Sequence, residues 1–192
     1  MMNMQVALLR GINVGTAKRV AMADLRTLLE GLGFRDVRTL LNSGNVVFSA
    51  PKDGDRKVAA RIEKAIAGKL RVESRVVVLS GREVADVVRD NPLAEVANDP
   101  SRLLVVVPRD PSDRLRLTPL LKTRWGREVL AIGTRAAYLW CADGIGVSEL
   151  WPEVDRALER SGTGRNIATM TKLLAMVGEA PSLSKRGPLR RR

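Results

Sequence analysis

Apolar positions fall into short runs punctuated by glycine, proline and asparagine, and the periods of those runs predict the elements. Residues 5–10 read as an apolar strand that leads into a loop containing Gly11 and Gly15. Leu25, Leu28, Leu29 and Leu32 recur at i, i+3, i+4 and i+7, the spacing of an amphipathic helix, and Gly33 ends it. Residues 37–41 and 46–49 read as strands joined by Asn42-Ser43-Gly44-Asn45, residue types that tolerate the positive φ of a tight hairpin. Beyond Pro51 and Gly54, Val58, Ile62, Ala65, Ile66 and Leu70 form a second helical stripe, with Lys57, Arg61 and Lys64 on the wet side. The β-branched run 75–79 closes a β-α-β-β-α-β order, a ferredoxin-like unit.

Ser80 and Glu83 have the spacing of a capping box, which opens a helix carrying Val84, Val87 and Val88 on one face. The stretch 91–101, rich in Pro, Asn and Asp, is the expected boundary. A second half then repeats part of the order. A strand at 103–107 is followed by a helix that Asp110 and Pro111 start and Pro119 limits. Residues 128–132 and 136–141 make a hairpin around Gly133-Thr134, and helices are expected at 152–160 and 167–177. The predicted fold class is therefore α+β: a ferredoxin-like βαββαβ unit at 1–80, a helix and linker at 81–102, a related βαββα unit with a C-terminal helix at 103–180, and a disordered basic tail at 181–192.

Topology makes a candidate site. In a ferredoxin-like sheet the first and third strands are antiparallel neighbours, so the loop 11–19 shares a rim with the hairpin 42–45. Arg10, Asn13, Lys18, Arg19, Asn42, Ser43 and Asn45 can then face one patch. The helix that follows adds its N-terminal amides and positive dipole end, which suit a phosphate or carboxylate. Neither a Walker loop nor a dinucleotide fingerprint is present. The same residues also suit a purely structural use, with the glycines shaping a turn and the asparagines capping backbone groups. A second cluster, Thr163-Gly164-Arg165-Asn166, precedes the last helix. Thr163 or Asn166 serves there as N-cap, whereas a cap needs no guanidinium, so Arg165 joins the anion-binding candidates with Asn166 unless it forms a surface ion pair.

Composition narrows the chemistry. At 192 residues, folding buries roughly 70% of the unfolded surface and needs no staple. The chain has no histidine and one cysteine, Cys141. These counts exclude an internal disulfide, cysteine-based zinc sites, and His-activated serine or cysteine nucleophiles. Cys141 ends an apolar strand and reads as an inert core thiol. Asp143 in Asp143-Gly144 offers a single carboxylate, too few oxygens for calcium. No cofactor or metal is expected, and no acid–base pair stands at a recognisable spacing. No signal peptide or membrane span is legible, so a cytoplasmic protein without a membrane partner is expected.

The net charge is +12, of which residues 182–192 supply five and the remainder +7. A basic body with a basic arm is the footprint of a nucleic-acid or other polyanion binder; an arginine-biased composition gives the same sum. Tyr138 and Trp140 alternate on one strand face and are expected to pack. Strand one carries no aromatic residue and strand three only Phe48, which disfavours base stacking on the sheet. The resulting expectation is a non-catalytic binder of nucleic acid or a phosphorylated ligand. The alternative is an enzyme whose small anionic substrate is held by Arg10, Arg19 and Arg165.

The motifs also carry a resemblance. Gln-Val-Ala-Leu-Leu-Arg-Gly-Ile-Asn-Val-Gly at 5–15, Asn-Ser-Gly-Asn-Val-Val-Phe at 42–48, Ala-Asp-Gly-Ile-Gly at 142–146, Arg165-Asn166 and Thr-Lys-Leu-Leu at 171–174 occur in the order seen in a bacterial family. The chain resembles the domain of unknown function 1697 family over all but its tail. The resemblance implies a two-unit fold and no particular reaction, and it transfers no catalytic residue. Ile167 stands where that family commonly carries tryptophan, and Asn42 where it carries glutamine.

Overall fold

The computed structural model describes residues 2–13, 15, 19–51 and 54–178. The first half runs β1 (Met2–Leu9), α1 (Met22–Gly31), β2 (Arg35–Leu40), β3 (Asn45–Pro51), α2 (Asp55–Ala65), a π-helical turn (Ile66–Leu70) and β4 (Val76–Ser80). Helix α3 (Gly81–Arg89) leads towards β5 (Leu103–Val107), a 3₁₀ segment (Pro111–Lys122), β6 (Val129–Ile132), β7 (Ala137–Trp140), α4 (Leu150–Ala157), β8 (Thr163–Asn166) and α5 (Ile167–Gly178). The strands form two four-stranded antiparallel sheets, ordered β2-β3-β1-β4 and β6-β7-β5-β8. The second order copies the first, so the expected two-unit α+β fold is the one adopted.

Strand periodicity explains the layers. Side chains on a strand alternate between faces, and the central strands are buried on both. Ala7, Leu9, Val46, Phe48, Val76 and Val78 pack outward against Leu25, Leu28 and Leu29 of α1 and Val58 and Ile62 of α2. Val6, Leu8, Val47, Val77 and Leu79 point the other way, into a seam shared with Leu103, Val105, Val107, Tyr138 and Trp140 of the second sheet. Val84 and Val87 of α3 and Met170 and Leu173 of α5 fill that seam. The far face of the second sheet packs Leu104, Val106, Leu139 and the buried Cys141 against Leu117, Leu150 and Val154. Trp140 and Tyr138 pack as expected, and the Tyr138 hydroxyl donates to the Val87 carbonyl at 2.7 Å.

Local chemistry places the ends. Ser80 and Glu83 close the capping box of α3, and the Asp110 carboxylate accepts from the Ser112 amide at the start of the 3₁₀ segment. In the hairpin, Gly44 has φ 74°, and a Cβ there would stand 2.7 Å from the Leu9 Cβ, so only glycine lets the loop close onto β1.

Two expectations change. The segment after Pro111 is 3₁₀ rather than α-helical, with Pro119 inside it denying a regular hydrogen-bond ladder. Residues 163–166 are not a pre-helical loop but an eighth strand, paired with β5 from Val107↔Thr163 to Leu104↔Asn166. The second unit thereby gains the edge strand that its expected βαββα order lacked. The expected disordered tail at 181–192 and the candidate Lys18 lie outside the described residues.

Candidate functional site

Part of the predicted rim gathers, and that part turns inward. Asn45 begins β3 on the same face as Val47, and Arg165 lies opposite Val105, so both point into the seam between the sheets. Asn45 is fully buried. An arginine has five N–H donors, and all of those on Arg165 are taken. Nε donates to Asn45 Oδ1. Nη1 donates to Thr163 Oγ1 (3.0 Å) and the Gly164 carbonyl (2.7 Å). Nη2 donates to the carbonyls of Leu9 (2.7 Å) and Ser43 (3.0 Å). Every acceptor is neutral, and no carboxylate pairs with Arg165 among the described residues, so it is not the surface ion pair considered above. Loss of hydration lowers its pKa to about 10.

Arg10 is also spoken for. Its guanidinium forms a bidentate pair with Asp155 of α4, Nη1 to Oδ1 at 2.7 Å and Nη2 to Oδ2 at 2.8 Å, and Nη1 also donates to the Gly162 carbonyl. Asn13 staples its own loop: its amide nitrogen donates to the carbonyls of Val20 and Asn42, and its oxygen accepts from the Val20 amide. Asn45 donates to the Leu40 carbonyl and to Ser43 Oγ. Asn166 accepts from the Thr169 amide at 2.9 Å, the N-cap of α5. Arg19 and Asn42 are exposed. Structure thus brings Arg10, Ser43, Asn45 and Arg165 together as the bond between the units, and Asn13 into their support.

Beside this seam opens a groove of about 800 Å³ that includes Arg10 and Gly11 in its lining. From the first unit it takes Glu63 and Lys64 of α2, then Glu73, Ser74 and Arg75 just before β4. From the second it takes Arg109, after β5, and Arg160, after α4. Two of the five cations are neutralised across the units: Arg10 by Asp155, and Arg109 by a bidentate pair with Glu63 at 2.7 and 3.1 Å. Glu63 also accepts from the Val76 amide, which fixes α2 against β4. Lys64, Arg75 and Arg160 are exposed and have no carboxylate partner among the described residues. Glu73 likewise pairs with no cation among the described residues. Glu159 and Arg160 both hold left-handed backbone, φ 51° and 56°, at a cost of about 1 kcal/mol or more each. Both close the end of α4, where the Arg160 amide donates to the Asp155 carbonyl at 2.9 Å.

A smaller cavity of about 280 Å³ adjoins through the shared Arg109, with Arg56, Glu83 and Arg135 in its wall. Its charges are paired: Arg135 Nε donates to Glu83 at 2.7 Å, and Arg56 bonds Asp110. Burial works to raise the Glu83 pKa, but the Ser80 amide and the Arg135 guanidinium outweigh it and hold the carboxyl below its ordinary value. The Cys141 thiol is buried and pushed up to about 11, mainly by lost hydration, so it is no nucleophile at neutral pH. No cluster of carboxylate or cysteine ligands able to hold a metal occurs among the described residues. No helix among them is long and apolar enough to cross a membrane.

Sequence reasoning placed the end of β1 beside the start of β3 but did not use its other neighbour. Leu9 also pairs with Val76, so the start of β4 shares the same rim, and Arg75 was reachable by the same topology. Arg109 and Arg160 carry no such local signal, because only the docking of the two units brings them there.

No curated protein sequence matches the chain. Among solved structures it is similar to the conserved bacterial protein SP0830 from Streptococcus pneumoniae, at 24% identity and a TM-score of 0.70, over 92% of this chain and 99% of that one. The likeness is one of fold. The sequence model described as a protein of unknown function (DUF1697) matches residues 2–138, most of the chain and both sides of the seam, and the chain belongs to that family.

Proposed function

We propose that the protein is a non-catalytic, cytoplasmic binder of a polyanion, nucleic acid or a phosphorylated ligand, and that the groove between the units is its site. One observation carries the reading: Lys64, Arg75 and Arg160 converge on an open groove of about 800 Å³ without carboxylate partners among the described residues. Some cations elsewhere are spent on acids, as in Arg56–Asp110, Arg127–Asp143 and Arg156–Glu153, while others such as Arg35, Arg82 and Lys172 are exposed but do not line this concavity. Three cations left unneutralised in one concavity repel one another, and an anion removes that repulsion. A net charge of +12 favours encounter with any such ligand. The fully occupied donors of Arg165 argue against its use as the ligand's anchor.

Nuclease-treated protein, titrated with inorganic tripolyphosphate and with a single-stranded oligonucleotide at low and high salt, tests the reading. Affinity falls with salt, and reversing Arg75 and Arg160 to glutamate weakens binding more than deleting residues 185–192 does. Equal binding by the wild type and the groove variant, with all affinity lost on tail deletion, would sink it.

A further inference from the structure

The groove's unpaired cations come from three separate elements of the two units. Lys64 projects from α2, Arg75 from the approach to β4, and Arg160 from the turn after α4 in the other unit. A nucleic-acid strand is tracked by a stripe of charge with aromatic platforms for its bases. No aromatic side chain lines this groove among the described residues. Its volume, about 800 Å³, is that of a small-ligand site. Guanidinium groups contributed by both units suit the planar, bidentate recognition of phosphate oxygens. Glu73 is the discordant member: an exposed carboxylate with no cation partner among the described residues, in the lining of a site that favours anions. A ligand made only of phosphate would be repelled by it. A ligand that also carries hydroxyl groups would donate one to it, as ionised carboxylates are acceptors only.

Resting on the polyanion reading above, we infer that the groove takes a compact phosphorylated polyol of the sugar-phosphate class. Lys64, Arg75 and Arg160 hold its phosphate oxygens, and Glu73 accepts a hydroxyl. The ligand touches both units, and its binding therefore reinforces the pairs Arg10–Asp155 and Arg109–Glu63 that already join them at the groove. Ser74 adds little, since its hydroxyl is already donated to the Arg10 carbonyl at 2.8 Å.

Isothermal titration of the full chain with fructose bisphosphate, inorganic pyrophosphate and a single-stranded oligonucleotide decides the matter. Fructose bisphosphate binds one molecule per chain, and the double variant Arg75→Ala/Arg160→Ala loses about tenfold or more in affinity. Glu73→Gln weakens fructose bisphosphate and strengthens pyrophosphate. Equal changes for the two would overturn the hydroxyl contact and the ligand class with it. Binding of the oligonucleotide alone, lost in the double variant, would overturn the compact ligand and leave the polyanion reading standing. No binding by any of the three would bring down both.

Discussion

The seam and the groove use the same residue type to opposite ends. In the seam, Arg165 gives all five of its donors to protein oxygens and has no carboxylate beside it among the described residues. In the groove, Arg75 and Arg160 are exposed and have no carboxylate partner among the described residues. The difference teaches that convergence of cations does not identify a binding site; the state of their donors does. A guanidinium whose hydrogen bonds are satisfied is a structural tie, and only one with open donors is offered to a ligand. Arg10 sits between these cases, since it lines the groove while its charge is met by Asp155.

Breaking the tie at Arg165 has the largest expected effect. Arg165→Ala leaves Asn45 Oδ1 and the carbonyls of Leu9 and Ser43 without their donor and should cost about 3–5 kcal/mol in urea unfolding. Arg165→Lys recovers less than half of that loss, because an ammonium has three donors and no planar fork. A loss below about 1 kcal/mol for the alanine variant would show that the seam is held by its apolar contacts alone.

Asp155→Asn sharpens the comparison by moving Arg10 from one side of it to the other. The pair is partly buried, with side-chain exposures of 27% and 17%, and losing its charge should cost about 1–3 kcal/mol. The same substitution releases Arg10 towards the groove, so tripolyphosphate affinity should rise as stability falls. Opposite signs in the two measurements separate this from a general loosening, which would lower both.

Legibility in the sequence followed the same division. Elements with apolar periods were legible: the stripe Leu25–Leu28–Leu29 became the buried face of α1, and Ser80 and Glu83 formed their box. Strand β8 was not, because Thr-Gly-Arg-Asn has no apolar residue to show a period; its order comes from pairing with β5 and from the bonds of Arg165. The gathering of Arg10, Ser43 and Asn45 was legible from strand adjacency within one sheet. That they face a second sheet was not, since adjacency says nothing about what covers a face. Arg160 depends on the docking of two units separated by a long stretch of chain, and no local pattern encodes that.

Tyr138 tests the seam through pH. Its burial raises the pKa from 10.0 to about 12, so between those values the unfolded chain loses the phenolic proton while the folded one keeps it. The unfolded state then binds fewer protons, and stability falls as pH rises across that window. Tyr138→Phe gives up the hydrogen bond to the Val87 carbonyl, worth about 1 kcal/mol near neutrality, but removes this alkaline loss. A pKa raised from 10.0 to about 12 corresponds to about 2.7 kcal/mol, more than the bond, so the two unfolding curves should converge above about pH 10 and cross before about pH 12. Parallel curves would mean that the ring is not sequestered from water in the seam.

The smallest expected effect is the most telling about function. Lys64, Arg75 and Arg160 are exposed and hold no carboxylate among the described residues, so replacing them with alanine breaks no ion pair there. Exposed positions of this kind change stability by less than about 0.5 kcal/mol. Here the sign should favour the variants slightly, because three like charges around one concavity repel one another and the repulsion weakens with salt. The left-handed backbone at Arg160 belongs to the turn and survives the substitution, since alanine and arginine share the same Cβ restriction. Urea midpoints of Arg75→Ala and Arg160→Ala should thus match or exceed the wild type at low salt and merge with it at high salt. A clear loss of stability in either would mean that these side chains are ties like Arg165, and the distinction between seam and groove would fail.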